Sequence, residues 1–416
     1  PKTQCPDRMS SPGKRWTSAS SDKGSKSVAD LAQGTTRAVP ISKNCQGLAI
    51  LRNISILSTP PRPLYLPKGP VMALGARIKQ ARMLRGLNQR ELAAKIDRSK
   101  TTVSKYEREI TLPDSAKLMD IAEALDIDLS YFLRNPRVGD IEPAYRKFSS
   151  MLVKEENAIV ERIRDWLERY LEVESILEID ALDFEWPEEV PYRVSSIEEI
   201  EQAALHLRDA WEIGRDPIEN LTERLEDHAL RVGSIEAPDD FDACAFEAQV
   251  DGGIPVIVFN EKYPGDRQRF SIAHELGHLV LEVGGELEEE KACDRFSGAF
   301  LVPRDVFVND VGEERRRISQ RELELLKQKY GVSMQALVYR MKDLSILSDH
   351  HAGQIFRWFR ETGNYKEEPG EPVSREQPQR FERMVQHALA EEYITDRRAA
   401  ELLDRDADDL PEPVLA

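Results

Sequence analysis

Along residues 74–133 the apolar positions Ile78, Leu84, Leu92, Ile96, Val103, Tyr106, Leu118, Ile121 and Leu125 recur at helical spacing in short runs broken by polar turns. Spacings of three and four residues place one apolar stripe on each segment, so this stretch predicts a small bundle of packed helices. Asn88 precedes Gln89-Arg90-Glu91-Leu92-Ala93-Ala94-Lys95-Ile96, and Ser99 follows a tight turn at Asp97-Arg98. Side-chain oxygens at Asn88 and Ser99 can accept from the first free amides of a helix, and two capped helices joined by a short turn form a helix-turn-helix unit. A longer helical pattern occupies residues 148–177, where Ile159, Ile163, Trp166, Tyr170, Val173 and Leu177 step alternately by four and three. That seam either packs the helix on its own domain or joins two copies of the chain as a homodimer.

The pattern changes after an acidic, turn-rich stretch at residues 180–196 that holds Pro187 and Pro191 and marks a boundary. Helical spacing over residues 197–211 and 218–229 gives way to strand-like runs at 243–246 and 254–259. It then returns from 270 to 342. This alternation predicts an α+β domain with a small sheet and a helical majority. Past Gln379 two short helices are expected, the second capped by Thr395 and carrying Ala399, Ala400, Leu402 and Leu403; the acids Asp404, Asp406, Asp408 and Asp409 favour a protein contact over a DNA contact there.

With 416 residues the chain exceeds one ordinary core, and the patterns divide it into a multidomain, mainly α protein. Residues 1–71, rich in Ser, Lys, Pro and Gly and without periodicity, read as a disordered extension or an upstream translated segment, with a basic arm for a polyanion as the functional alternative. The remaining divisions are a helix-turn-helix domain at 72–135, a helical linker at 136–196, an α+β domain at 197–345 and a C-terminal helical region at 346–416. No apolar run approaches the roughly 18 residues of a membrane span, so no membrane role is expected. The formal net charge of -17 excludes nucleic-acid coating by bulk charge and requires any DNA contact to be local. Cys5, Cys45, Cys244 and Cys293 show no paired spacing, which points to a reducing, cytoplasmic setting.

The chemistry concentrates at His274-Glu275-Leu276-Gly277-His278. Histidines four apart on a helix share one face and can offer two imidazoles to one cation, with Glu275 beside them. A catalytic zinc ion (Zn2+) needs a third protein ligand and an open fourth position. The nearby candidates are Glu286, Glu288, Glu289, Glu290 and Asp294. A second helix with Cys293, Phe296 and Phe300 as its buried stripe turns Glu290 inward and Glu288 and Glu289 toward solvent. Asp294 suits a hydrogen bond to the far nitrogen of a ligand imidazole. The helix carrying the histidines is expected to be capped by Asp266 and to end at Gly284-Gly285. Tyr339, His350 and His351 are candidate oxyanion donors that no motif separates.

The segments Arg269-Phe270-Ser271-Ile272-Ala273-His274-Glu275-Leu276-Gly277-His278 and Glu290-Lys291-Ala292-Cys293-Asp294-Arg295-Phe296-Ser297-Gly298-Ala299-Phe300-Leu301-Val302-Pro303 resemble the ImmA/IrrE family of bacterial metallopeptidases. The second departs from the family pattern at Cys293 and Ser297, where alanines are usual. The resemblance covers roughly residues 197–345. It implies a zincin-like, minimal thermolysin-like domain with zinc ligands His274, His278 and Glu290, and Glu275 as general base. It also raises residues 256–259 as an edge strand that binds substrate, against the reading of a buried core strand. The stretch Leu87-Asn88-Gln89-Arg90-Glu91-Leu92-Ala93, with Val103-Ser104-Lys105-Tyr106-Glu107 and Leu112-Pro113, is similar to the Xre/Cro-type helix-turn-helix. That resemblance implies a five-helix, lambda-repressor-like bundle whose residues Gln89, Lys100, Thr101, Thr102 and Lys105 meet a double-stranded DNA operator. Together these features point to a DNA-binding transcriptional regulator with a zinc metalloendopeptidase of narrow specificity, a hydrolase acting on a repressor or antitoxin-like protein. The alternative is a non-proteolytic transcription factor whose peptidase-like domain senses a ligand or binds a partner.

Overall fold

Helix α1 (Leu74–Leu84) leads into α2 (Gln89–Lys95), α3 (Lys100–Glu107) and α4 (Ser115–Leu125). The Asn88 side chain accepts from the Arg90 and Glu91 amides while the Glu91 carboxylate accepts from the Asn88 amide, a reciprocal capping box. Ser99 caps α3 by accepting from the Thr102 amide, and Asp114 caps α4. Between α2 and α3 Asp97 adopts φ 51°, the left-handed conformation that lets the chain reverse within two residues. Ile78, Leu92, Ile96, Val103, Tyr106, Ile121 and Leu125 form the bundle core. Its fifth helix is a single 3-10 turn, Leu129–Leu133, which adds Tyr131 and Phe132 to that core.

The computed structural model describes residues 74–134, 138, 139, 141, 151–179, 184–250, 253–365 and 367–410; the expected extension at 1–71 lies outside them. Helix α5 (Val153–Ile176) buries Ile159, Ile163, Trp166, Tyr170 and Val173. These seam positions share a core with Phe241, Phe246, Val256, Val258, Phe381, Met384, Val385 and Leu402. Of the two readings of the seam, packing on the helix's own domain is the one observed: these positions are covered inside the chain. A four-three alternation marks any helix that buries one stripe, whether the covering surface is a second copy or the protein's own sheet. At its other flank α5 meets the bundle through a buried ion pair, Arg77 Nη1 to Glu168 Oε2 at 2.7 Å.

Strand β1 (Tyr192–Val194) and helices α6 (Ile197–Ala210) and α7 (Leu221–Asp227) precede β2 (Arg231–Ile235), β3 (Ala243–Ala248) and β4 (Ile254–Asn260). The three-stranded sheet runs β2-β4-β3, with β2 parallel and β3 antiparallel to β4. Residues 256–259 thus lie on the central strand, every residue of which is buried, and cannot accept an added strand as an edge. Their unbroken apolar character is what a strand covered on both faces requires. No apolar run announces β2, which mixes Arg231, Gly233 and Ser234 among two apolar residues. A Cβ on Gly233 would lie 2.5 Å from the Trp166 indole, so the glycine makes room for α5.

Next come α8 (Gly265–Val280), β5 (Leu281–Val283), α9 (Glu289–Leu301), α10 (Arg304–Val311), α11 (Gln320–Tyr330), α12 (Met334–Asp343) and α13 (Asp349–Thr362). Ile272, Leu276 and Val280 of α8 pack with Phe296 and Phe300 of α9 in a core that also takes Leu207, Ile257 and Phe359. Helix α8 ends at Val280, before Gly284-Gly285, because β1 captures residues 281–283 as a parallel partner. Asp266 does not cap it: Pro264 holds the cap position, and Asp266 turns inward to Lys327 at 2.8 Å. Two final helices, α14 (Arg380–Ala390) and α15 (Asp396–Leu403), lay Phe381, Met384, Val385 and Leu402 on α5. Thr395 caps α15 as expected. Their apolar faces serve contacts within the chain.

The segment between α13 and α14 grips the start of α8. Glu376 accepts from the Thr222 amide at 2.9 Å and the Thr222 hydroxyl at 3.1 Å, and from Arg269 Nη1 at 2.6 Å. Its own amide donates to Gln268 Oε1 at 3.0 Å. Glu368 joins the grip through Lys327 at 2.9 Å. Among the described residues no helix is long and apolar enough to cross a membrane.

Candidate metal centre

Helices α8 and α9 approach closely at Gly277, where an added Cβ would lie 3.2 Å from Cys293 Cβ and 3.3 Å from its sulfur. The glycine within the five-residue motif therefore lets the second helix come near enough to contribute a ligand. Ser297, like Cys293 a departure from the family pattern, donates its hydroxyl to the Cys293 carbonyl at 2.8 Å, so its burial leaves no unmet polar group. Arg295 and Arg340 hold α9 to α6 and α12 through Glu201, at 2.6 Å from Arg295 Nε and 2.8 Å from Arg340 Nη2. Burial opposes ionisation of Glu201, yet the hydrogen bonds and charges of the two guanidiniums hold its carboxyl below the usual range.

On this scaffold His274, His278 and Glu290 offer ligand atoms all within 4.8 Å of one another. His274 Nε2 lies 3.2 Å from His278 Nε2. Glu290 Oε2 is 3.3 Å from His274 Nε2, and its Oε1 is 3.6 Å from His278 Nε2. A tetrahedral cation with bonds of about 2.0–2.1 Å needs donor separations of about 3.3–3.4 Å. The three side chains therefore approximate one face of such a tetrahedron and leave the fourth vertex open. The imidazoles are almost wholly enclosed, whereas the Glu290 carboxylate is 44% exposed, so the triangle faces solvent along its carboxylate edge. Glu275, between the histidines, is fully buried.

Each histidine meets an acid of α9 through its Nδ1. Asp294 Oδ1 lies 2.7 Å from His274 Nδ1, the contact expected of it. Glu289 Oε1 lies 3.1 Å from His278 Nδ1, although the helical stripe turned Glu289 toward solvent. Its side chain is 57% exposed yet reaches back over the first turn. The available signal was its position next to Glu290, since neighbouring side chains in a first turn can flank a common object. Tyr339 packs at a tilt against Phe356, His350 contacts Gln354, and His351 contacts Ser348; these contacts select none of the three as an oxyanion donor.

Residues 237–342 match the family model of the IrrE N-terminal-like domain, and residues 78–132 match a helix-turn-helix model. The chain joins a helix-turn-helix domain to a peptidase domain of the ImmA/IrrE type. It is also 29% identical over 94 residues to the HTH-type transcriptional regulator ImmR of Bacillus subtilis (strain 168), covering 23% of this chain and 70% of that protein. The IrrE-like match includes all of α8 and α9, and with them the three donors.

In the helix-turn-helix domain, Lys100, Thr101 and Lys105 are exposed on α3. Thr102 is half-buried, with its hydroxyl 2.9 Å from that of Ser99. Gln89 donates to Glu107 at 2.8 Å, and Glu107 also pairs with Arg82. Residues 74–134 carry twelve Lys or Arg against nine Asp or Glu, a local basic excess in an acidic chain.

Proposed function

We propose that this protein is a cytoplasmic, DNA-binding transcriptional regulator whose IrrE-like domain is a zinc-dependent endopeptidase that cuts a repressor or antitoxin-like protein. The observation that carries the proteolytic part is the donor triangle of His274, His278 and Glu290 beside the buried Glu275. Two nitrogens and one carboxylate with an open vertex are the donor set of a catalytic zinc site, whereas structural zinc sites close with four ligands. When bound, zinc supplies the positive charge that acidifies water and polarises a carbonyl. Glu275 then accepts a proton from the attacking water and delivers it to the amine nitrogen as the amide C–N bond breaks. Asp294 holds His274 with its Nε2 lone pair toward the metal by accepting from Nδ1–H.

Helix α3 is the reading helix in this proposal, with Lys100, Thr101 and Lys105 at base edges and phosphates of the operator. Thr102 and Gln89 act mainly by fixing the ends of α2 and α3, since both are engaged within the bundle.

Cells carrying the parent protein are compared with cells carrying Glu275→Gln by quantitative proteomics. A protein that accumulates in the variant, while purified Glu275→Gln keeps its zinc, is the expected result. Loss of regulation in the variant without any cleavage product in parent cells would instead support the sensor reading. Replacing both Lys100 and Lys105 by Ala should lower the log–log salt slope of operator binding by about 2. An unchanged slope in binding titrations removes α3 from the groove.

A further inference from the structure

Two imidazoles aimed at one cation must each be fixed in rotation and in tautomer, because a ring turned by a few tens of degrees carries its Nε2 lone pair off the metal. For His274 the fixing group is Asp294, at 2.7 Å from Nδ1. His278 has the matching contact with Glu289, 3.1 Å from Nδ1. The two imidazoles stand at 62° to each other, with ring centroids 5.0 Å apart, so one acceptor cannot serve both. They come from one helix and their acceptors from another, and Gly277 sets how closely the helices approach. Neighbouring acids differ in what they touch: Glu288 pairs with Lys291, whereas Glu290 points between the two Nε2 atoms.

We infer that Glu289 is the positioning residue for His278: it accepts the Nδ1 hydrogen, fixes the tautomer with a free Nε2 lone pair, and so sets the metal affinity of the centre. The first turn of α9 thereby divides its work between adjacent carboxylates, with Glu290 as ligand and Glu289 as the acceptor behind the ligand opposite. This inference rests on the proposed zinc site at His274, His278 and Glu290.

The test measures zinc affinity by chelator competition on the full chain for Glu289→Ala, Glu289→Gln and Glu288→Ala, alongside His278→Ala and Glu290→Ala. Removing the acceptor in Glu289→Ala should weaken zinc binding about 10- to 100-fold, with the metal-free melting temperature unchanged. Glu289→Gln keeps an oxygen that accepts from Nδ1–H and should recover most of that loss. Glu288→Ala removes a nearby negative charge without touching either histidine and should stay close to the parent. In the cobalt-substituted protein, the visible absorption bands should change for Glu289→Ala and be restored in Glu289→Gln. An unchanged affinity in Glu289→Ala overturns the inference, as does an equal loss in Glu288→Ala, which would reduce the effect to local charge. If His278→Ala and Glu290→Ala keep full zinc, the metal site itself fails. If they lose zinc while Glu289→Ala does not, only the role of Glu289 fails.

Discussion

The helix-turn-helix bundle and the metal domain reach their functional geometry by different routes. In the bundle, Lys100, Thr101 and Lys105 stand on a helix whose cap, Ser99, is the adjacent residue and whose buried stripe, Val103 and Tyr106, lies within the same two turns. In the metal domain, His278 meets Glu289 and Glu290 from a second helix, which Glu201 anchors from one side of the sequence and Arg340 from the other. The start of the histidine-bearing helix is fixed by Glu376. A surface that reads a ligand from outside can be specified locally. A centre that encloses one is assembled from distant positions, and its accuracy depends on contacts far from the chemistry.

The contrast is tested most severely where the bundle meets α5. Glu168→Ala leaves the Arg77 guanidinium buried without its partner, and stability should fall by about 3–5 kcal/mol in denaturant titrations. Replacing both residues with apolar side chains of similar volume should recover most of that loss. A loss below about 1 kcal/mol would mean that the bundle stands independently of α5.

A smaller effect should distinguish the clasp of the metal domain from the caps of the bundle. Burial pushes the Glu226 carboxyl up to about 7, although it accepts from the Gln379 and Arg380 amides at the start of α14. Its folded pKa lies above its ordinary 4.5, so its contribution is full below that value and is lost as pH rises through about 7. Stability should therefore drop between about pH 5 and pH 8 by up to about 3 kcal/mol from this group. Glu226→Gln should flatten that profile, and a profile unchanged by the substitution would assign the pH dependence elsewhere. The smallest effect belongs to the bundle: Asn88→Ala removes one side of a capping box and should cost about 1 kcal/mol, with zinc affinity unchanged.

The sequence was most informative where local rules govern. Asn88, Ser99 and Thr395 cap the helices they were expected to cap, and the apolar runs at 243–246 and 254–259 became β3 and β4. Spacing brought His274 and His278 to one face, and the stripe on α9 turned Glu290 toward them. Legibility failed where a distant partner decides. β2 exists because β4 pairs with it, and residues 281–283 leave the helix because β1 takes them. The four-three seam on α5 could not name its covering surface, because its own sheet and a second copy demand the same stripe. Glu289 is exposed, as its helical phase required, but phase describes only where a Cβ points and could not show that the carboxylate oxygens, three bonds further out, reach His278 Nδ1.

The contact between Arg269 and Glu376 spans 107 residues of chain. Translation runs in one direction, so the ribosome finishes the histidine motif, Glu275 and Glu290 well before it makes the carboxylate that clamps the start of their helix. A nascent chain thus carries His274, His278 and Glu290 without the grip that steadies the start of the histidine-bearing helix. A nick introduced between α13 and α14 leaves the motif intact and its anchor held by packing and hydrogen bonds alone.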